Sequence, residues 1–151
     1  MITLPNSPEV MAAVLLPLKE GRPVQFAMTG ESMEPTIHGE RDVIVLSPLP
    51  QALRRGDVVL YKRGMQHVLH RILRAKGDFL VVRGDSCREK ERVSRDEVVA
   101  LLVQIKHADG TVVSCCDNQW RSASRKAMRL NAMRQWGRRY FSKEMRNRFL
   151  P

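Results

Sequence analysis

Residues 57–72 read DVVLYKRGMQHVLHRI, and this stretch decides the fold. Two runs rich in Val, Leu and Ile, at 57–62 and 66–75, follow each other closely, which predicts a β-hairpin. Similar runs lie on both sides of it, at 23–28, 42–47, 78–83, 98–106 and 111–115. They are separated by Gly, Pro or Asp turns and not by helices. The sequence therefore predicts an antiparallel, mainly β domain over residues 22–118.

Two helices are expected outside the sheet. Ser7 and Pro8 form a typical helix start, as N-cap and first helical residue, and the helix should end near Glu20 within an N-terminal segment of residues 1–21. Pro17 predicts a kink or an earlier stop. In residues 119–151, apolar residues recur every three or four positions, which predicts an amphipathic C-terminal helix with this stripe: Leu130, Met133, Trp136, Tyr140, Phe141, Met145 and Phe149.

The positive charge of the chain is concentrated in its C-terminal segment. The 151 residues have a net charge of +10, but residues 120–151 alone hold ten Lys or Arg and a single acidic residue, Glu144. The rest of the chain is nearly neutral. The basic character therefore belongs to the C-terminal helix and not to the β domain.

The cysteines and the apolar runs indicate where in the cell the protein is expected to be found. Cys87, Cys115 and Cys116 are an odd number with an adjacent pair, a poor disulfide framework that predicts a reduced, cytoplasmic setting. No run reaches the roughly 18 apolar residues of a membrane-spanning helix. The apolar run at residues 10–16 follows Glu9 and not basic residues, so it is not expected to be a signal peptide.

Residues 30–37 read GESMEPTI and place Ser32 at a tight turn after a strand-like run. Such a turn exposes the hydroxyl and lets backbone N–H groups stabilise an oxyanion, although a plain polar turn is the alternative interpretation. Candidate bases are His70 in the hairpin, and Lys62 or Lys76, either of which would need burial to lower its pKa. His67 lies three residues from His70 and so on the opposite strand face, which argues against a shared metal site. No metal or cofactor is expected.

Four motifs occur in order along the chain: Gly30-x-Ser32-Met33-x-Pro35, Arg55-Gly56-Asp57-Val58-Val59, His70-Arg71 and Gly84-Asp85. Over about residues 22–108 this ordered set resembles the signal peptidase I and LexA-like serine peptidase superfamily. The His-Arg pair resembles the histidine branch, which includes the endoplasmic-reticulum and sporulation-type signal peptidases. The short form resembles stand-alone soluble bacterial members. The resemblance implies a LexA/signal-peptidase-like β fold and a serine endopeptidase that cleaves a leader or precursor peptide.

The same resemblance implies roles for individual residues. Ser32 matches the nucleophile and His70 the general base. The carboxylate that supports the histidine is assigned first to Asp85 of the Gly-Asp box and second to Glu91, which stands at the offset of the family's later acidic residue. An inactive or only self-processing site is the alternative, and it would make the chain a peptide-binding or regulatory module.

A peptide substrate would add as a strand beside residues 23–28. The side chains expected to line its groove are Val24, Phe26, Met28 and Met33, although each could equally belong to the core.

Three interpretations remain open for the basic C-terminal segment. Its apolar stripe could pack on the β domain, or residues 120–150 could lie in the plane of an anionic membrane on the cytoplasmic face. Nucleic-acid binding is the least favoured. LexA-like repressors carry a helix-turn-helix module before the peptidase domain, and the roughly 20 residues available here are too few for one.

Overall fold

The structure, a computed structural model, describes residues 7–149 and the side chains of residues 7–139. Two helices flank eight strands, and a 3-10 turn at Arg95–Glu97 precedes the seventh strand. The bounds in chain order are α1 Pro8–Lys19, β1 Val24–Phe26, β2 Val43–Ser47, β3 Val58–Arg63, β4 Gln66–Lys76, β5 Phe79–Arg83, β6 Glu91–Ser94, β7 Val98–Lys106, β8 Val112–Ser114 and α2 Asn118–Phe149.

The eight strands form one antiparallel sheet that curls into a half-barrel. The strand order is β1-β2-β7-β3-β4-β5-β6, and β8 pairs with the end of β7. The β3–β4 hairpin lies inside the sheet, where Val59 is directly opposite His70. The predicted mainly β fold with a short N-terminal helix and a C-terminal helix is confirmed.

Successive side chains of β3 point to opposite faces of the sheet, and the core is divided into two clusters accordingly. Val58 and Leu60 belong to the larger cluster, which also contains the buried face of α1. Val59 and Tyr61 point to the other sheet face and belong to the smaller cluster with residues of β4, β5, β6 and β7. Because directly opposite residues of an antiparallel pair share a face, His70 lies on the same face as Val59 and Tyr61.

Helix α1 ends at Lys19, next to the expected end near Glu20, and the earlier stop considered at Pro17 does not occur. Pro17 lies in the last turn, and its carbonyl accepts a bond from the Glu20 N–H at 3.0 Å. One local expectation differs from the structure. Strand β6 was not predicted. Its short sequence contains one apolar residue, Val93, and it becomes a strand through pairing with β5.

Helix α2 packs through a different face from the predicted stripe. The buried positions are Trp120, Ser124, Met128 and Asn131. In contrast, three residues of the stripe are exposed, by 43% to 71% of their surface: Leu130, Met133 and Trp136. The expectation that the stripe packs on the β domain is therefore wrong for these three residues. The side chains of Tyr140, Phe141, Met145 and Phe149 lie outside the described residues. Neither helix, as far as residues 7–149 show, combines the length and the apolar character needed to cross a bilayer.

Candidate active site

The loop that bears Ser32 connects β1 to β2 and is held at several points. Met33 and Ile37 are each 4% exposed and anchor it to the core. The Ile37 N–H donates to the Met33 carbonyl at 3.0 Å. A side chain at Gly39 would overlap the carbonyl of Gly30, so this close approach requires glycine. The loop therefore presents a half-buried Ser32 from a firmly packed turn.

Residues 84–90, between β5 and β6, form the Gly84 loop. This loop is hydrogen-bonded to the serine loop, residues 27–42, which connects β1 to β2. The Ser86 N–H donates to the Ser32 carbonyl at 3.0 Å, and the Ser86 hydroxyl donates to the Glu31 carbonyl at 2.8 Å. A Cβ atom at Gly84 would lie 2.5 Å from the Ser32 carbonyl oxygen and 3.0 Å from Nε2 of His70. Ser32 and His70 therefore converge on one point, and glycine is needed there because no space remains for a side chain.

The imidazole of His70 is 3% exposed. Burial lowers the pKa of His70, and the nearby Glu91 carboxylate offsets this only in part. At neutral pH the ring is therefore uncharged, which is the form that accepts a proton. In the described part of the chain no hydrogen bond joins the Ser32 hydroxyl to Nε2 of His70, and the atom of Ser32 that meets Nε2 at Gly84 is the backbone carbonyl oxygen.

Asp85 is bonded to Arg71 and not to His70. Its two carboxylate oxygens accept bonds from Nε and Nη2 of Arg71, both at 2.8 Å, and it also accepts from the Thr36 hydroxyl. Both members of the pair are almost fully buried. The resemblance placed Asp85 first as the supporting carboxylate; its hydrogen bonds go to Arg71 and Thr36, and the choice between Asp85 and Glu91 stays a prediction. Asp85 links the serine loop to β4.

Glu91 lies near His70 from β6. Its Oε1 is 3.8 Å from Nδ1 of His70 and accepts a bond from Nη1 of Arg63 at 2.6 Å. Its Oε2 accepts a bond from the Tyr61 hydroxyl at 2.9 Å, and that hydroxyl is 3.0 Å from Nδ1 of His70. Sequence reasoning missed Tyr61. The β3–β4 register could have found it, since it places Tyr61 on the same face as His70 and two residues beyond the partner Val59.

Arg71 connects the site to the rest of the molecule. Besides Asp85, it donates from Nη1 to the Gly56 carbonyl at 3.0 Å and to the Ser124 hydroxyl of α2 at 2.6 Å. Its guanidinium lies 5.0 Å from the centre of the Trp120 ring, a cation–π contact. Two of the motifs, Arg55-Gly56-Asp57 and His70-Arg71, are thus joined by a hydrogen bond.

Helix α2 also contacts the Gly84 loop directly. Nδ2 of Asn131, a residue that is 3% exposed, donates to the carbonyls of Gly84 and Cys87, both at 3.1 Å. Nε2 of Gln135 donates to Oδ1 of Asn131 at 3.1 Å. The first half of α2 therefore supports the loop that brings Ser32 and His70 together.

The expected groove residues are mostly in the core. Val24, Phe26 and Met33 are 4% to 9% exposed and pack in the larger cluster, so they are not available to a substrate in this structure. Met28 is half-buried against that cluster and remains a candidate. Strand β1 is an edge of the sheet, so the addition of a peptide strand beside it stays a prediction.

The lysines considered as alternative bases do not fit that role. Lys62 and Lys76 are both exposed, whereas a lysine base would have to be buried. The three cysteines are unpaired, with Cys87 half-buried, Cys115 buried and Cys116 exposed. Of the bases considered, the structure brings only His70 close to the serine.

The site unites four separate segments: the serine loop, the β3–β4 hairpin, the Gly84 loop and β6. No family model, no curated protein and no solved structure matches the chain. The family resemblance of the four motifs therefore remains a hypothesis that rests on their residues and order.

Proposed function

We propose that the protein is a serine endopeptidase of the signal-peptidase-like type, with Ser32 as nucleophile and His70 as general base. The observation that supports this most directly is the convergence of the Ser32 backbone and Nε2 of His70 at Gly84. The uncharged state of His70 supports it as well, because a base must be free of its proton before the reaction starts.

In this mechanism the Ser32 oxygen attacks the carbonyl carbon of a peptide bond while its proton moves to Nε2 of His70. The tetrahedral intermediate then collapses. The C–N bond breaks, His70 gives its proton to the leaving amine, and an acyl-enzyme remains. A water molecule then attacks the acyl-enzyme and gives a proton to His70. The Ser32 oxygen leaves with that proton, and the carboxylic acid product is released. The Ser32 N–H is the expected oxyanion donor, and the negative charge of Glu91 favours the imidazolium formed in each step.

The substrate is proposed to be an extended segment of a leader or precursor protein. It would pair with the outer edge of β1, the end strand of the sheet that residues 7–149 form, through main-chain hydrogen bonds, which would place the cleaved bond near the serine loop that follows this strand. Met28, at the start of that loop, is the remaining candidate for contact with a substrate side chain.

A defined library of synthetic peptides, with cleavage read by mass spectrometry, tests the proposal. The full chain should cut a subset of the library, and Ser32→Ala and His70→Ala should each lower the rate by at least about a thousandfold. Ser122→Ala, an exposed serine on α2, is the matched control and should cleave like the wild type. Cleavage that persists unchanged in Ser32→Ala would refute the assignment of the nucleophile.

A second candidate function is a non-catalytic peptide-binding module on the same fold. It is favoured by two features of the described residues: Ser32 meets Nε2 of His70 at Gly84 through its backbone carbonyl, and no hydrogen bond joins the Ser32 hydroxyl to His70. The two functions differ in one outcome of the same experiment. Peptides that are retained by both the wild type and Ser32→Ala, without any cleavage, would support the binding module and contradict the peptidase.

The outer face of α2 is proposed to bind an anionic membrane on the cytoplasmic side. Leu130, Met133 and Trp136 are 43%, 67% and 71% exposed, and the basic residues Arg129 and Arg134 are exposed among them. Apolar side chains can enter the acyl boundary while arginines bind lipid phosphates. The inner face of the helix is already occupied by its contacts with the β domain, so such docking would leave the active site intact.

Co-sedimentation with vesicles tests this docking. Binding is expected to vesicles that contain phosphatidylglycerol and to be weak with pure phosphatidylcholine. Because Trp120 and Asn131 are buried, removal of the whole helix would disturb the domain, and point substitutions are preferable. Met133→Ala combined with Trp136→Ala should reduce binding. Equal sedimentation of this variant, or preferential binding to duplex DNA instead of vesicles, would contradict the membrane proposal.

A further inference from the structure

Glu91 does not reach His70 directly. Its Oε1 is 3.8 Å from Nδ1, which is beyond hydrogen-bonding distance. The hydroxyl of Tyr61 fills the gap, 3.0 Å from Nδ1 of His70 and 2.9 Å from Oε2 of Glu91. Tyr61 is 1% exposed, and its ring packs edge-on against the imidazole with centroids 5.8 Å apart. The phenol is therefore fixed between the two groups.

The donors and acceptors of this chain can be assigned from their chemistry. An ionised carboxylate only accepts, and a phenol has a single proton to give. Oε1 of Glu91 already accepts from Arg63, so the Tyr61 proton is directed to Oε2. The phenol oxygen then faces His70 with a lone pair, and Nδ1 must carry the hydrogen. The opposite nitrogen, Nε2, is left without a proton on the side of Gly84 and Ser32.

We propose that Tyr61 is a positioning residue. Its hydroxyl hydrogen-bonds to both Glu91 and His70 and thereby fixes the imidazole in the Nδ1–H tautomer. Its catalytic meaning rests on the proposed peptidase function, but the tautomer is a property of the free protein. When Nε2 accepts the serine proton, the positive charge of the imidazolium is stabilised through the hydrogen bonds from Nδ1–H to the phenol and from the phenol to Glu91. No proton has to move along these hydrogen bonds.

The charges around His70 are consistent with this arrangement. Arg63 faces it from β3, Glu91 from β6, and Asp85 and Cys87 from the Gly84 loop. Burial, followed by the hydrogen bond to Glu91, raises the pKa of Tyr61 far above its usual value, so the phenol keeps its proton. Burial also raises the pKa of Cys87, which keeps the thiol neutral. The carboxylates are thus the only negative groups of this set that can stabilise an imidazolium.

Nitrogen NMR of histidine-labelled protein tests the proposal without any substrate. At a pH where His70 is neutral, Nδ1 should show the shift of a protonated ring nitrogen and Nε2 that of an unprotonated one. The His70 signals are assigned by their loss in His70→Ala. In Tyr61→Phe the population should move toward the Nε2–H tautomer, which predominates in free histidine. Met65→Ala, at the exposed turn between β3 and β4, is the control and should leave the His70 signals unchanged.

Several results would overturn the proposal. A wild-type His70 in the Nε2–H tautomer refutes it at once, even if Tyr61→Phe does not fold. A Tyr61→Phe protein with an unchanged tautomer refutes it too. For an active peptidase, Tyr61→Phe should lower kcat/KM about 10- to 100-fold, mainly through kcat. The expected wild-type tautomer in a protein that cleaves no peptide would contradict the peptidase function and leave the role of Tyr61 in positioning His70 supported.

Discussion

Replacing Asp85 by Asn should destabilise the protein strongly and leave the orientation of His70 unchanged. The Asp85 carboxylate accepts two bonds of 2.8 Å from Arg71, and the two side chains are 6% and 1% exposed. In Asp85→Asn the negative charge is lost, and at most one of the two Arg71 bonds can persist, to the amide oxygen; the amide NH2 would meet the other guanidinium donor. The buried guanidinium then keeps the Gly56 carbonyl and the Ser124 hydroxyl as its other hydrogen-bond partners. Removing one partner of such a pair costs about 3–5 kcal/mol. That is a large share of the roughly 5–15 kcal/mol of a typical domain.

Urea unfolding followed by tryptophan fluorescence measures this loss, since Trp120 lies against Arg71. Glu91→Gln is the matched control. Glu91 is only partly buried, and its ion pair with the exposed Arg63 should contribute at most about 1 kcal/mol. The reasoning is refuted if Asp85→Asn loses less than about 1 kcal/mol while it shifts the His70 tautomer or slows peptide cleavage as much as Glu91→Gln.

Three further predictions follow from the same contacts. Gly84→Ala should lower the free energy of unfolding by about 1–3 kcal/mol, because the new methyl group lies 2.5 Å from a loop carbonyl. In the control Gly137→Ala the methyl group meets nothing within 4 Å and should stabilise α2 by up to about 1 kcal/mol. Equal unfolding midpoints of the two variants would contradict this prediction. Burial lowers the pKa of His70 in the folded protein, so on acidification the unfolded chain takes up the proton at a higher pH than the folded chain does. The free energy of unfolding should therefore fall by up to about 1.4 kcal/mol per pH unit as the pH drops from about 6.5 toward the lowered native pKa. His70→Gln should reduce that slope in urea titrations at several pH values. Asn131→Ala removes the side-chain donor of the Gly84 carbonyl and leaves the Cys87 carbonyl with only the longer bond of 3.5 Å from Gln135, so it should cost about 1–3 kcal/mol by the same assay. A loss below the error would argue against the role of Asn131 in supporting the loop.

Most of the secondary structure could be predicted because its signals are local. Ser7 and Pro8 start α1 as expected, with the Ser7 hydroxyl accepting a bond from the Val10 N–H at 3.4 Å. The run at 98–106 became β7 with the same bounds. Strand β6 could not be predicted, because Val93 is its only apolar residue and its partner β5 supplies the reason for its extension.

The site was predictable in part. Ser32 and His70 came from ordered motifs, and the structure places the two near one glycine. The order of the carboxylates could not be decided from spacing, because Asp85 and Glu91 lie in the same stretch of chain and differ only in what they meet across the sheet. Tyr61 was absent from the prediction because nothing in a single strand marks a tyrosine as the partner of a histidine on the next strand.

The sequence by itself determined where both helices and seven of the eight strands form, that the sheet is antiparallel, and that the basic charge lies in the last helix. These properties depend on periodicity, capping and turn residues, which act over a few neighbouring positions. Only the tertiary structure decided that Asp85 pairs with Arg71, that Tyr61 stands between Glu91 and His70, and which face of α2 is buried. The reason is physical: a hydrogen bond or ion pair is decided by distances of about 3 Å between atoms that folding brings together from distant parts of the chain.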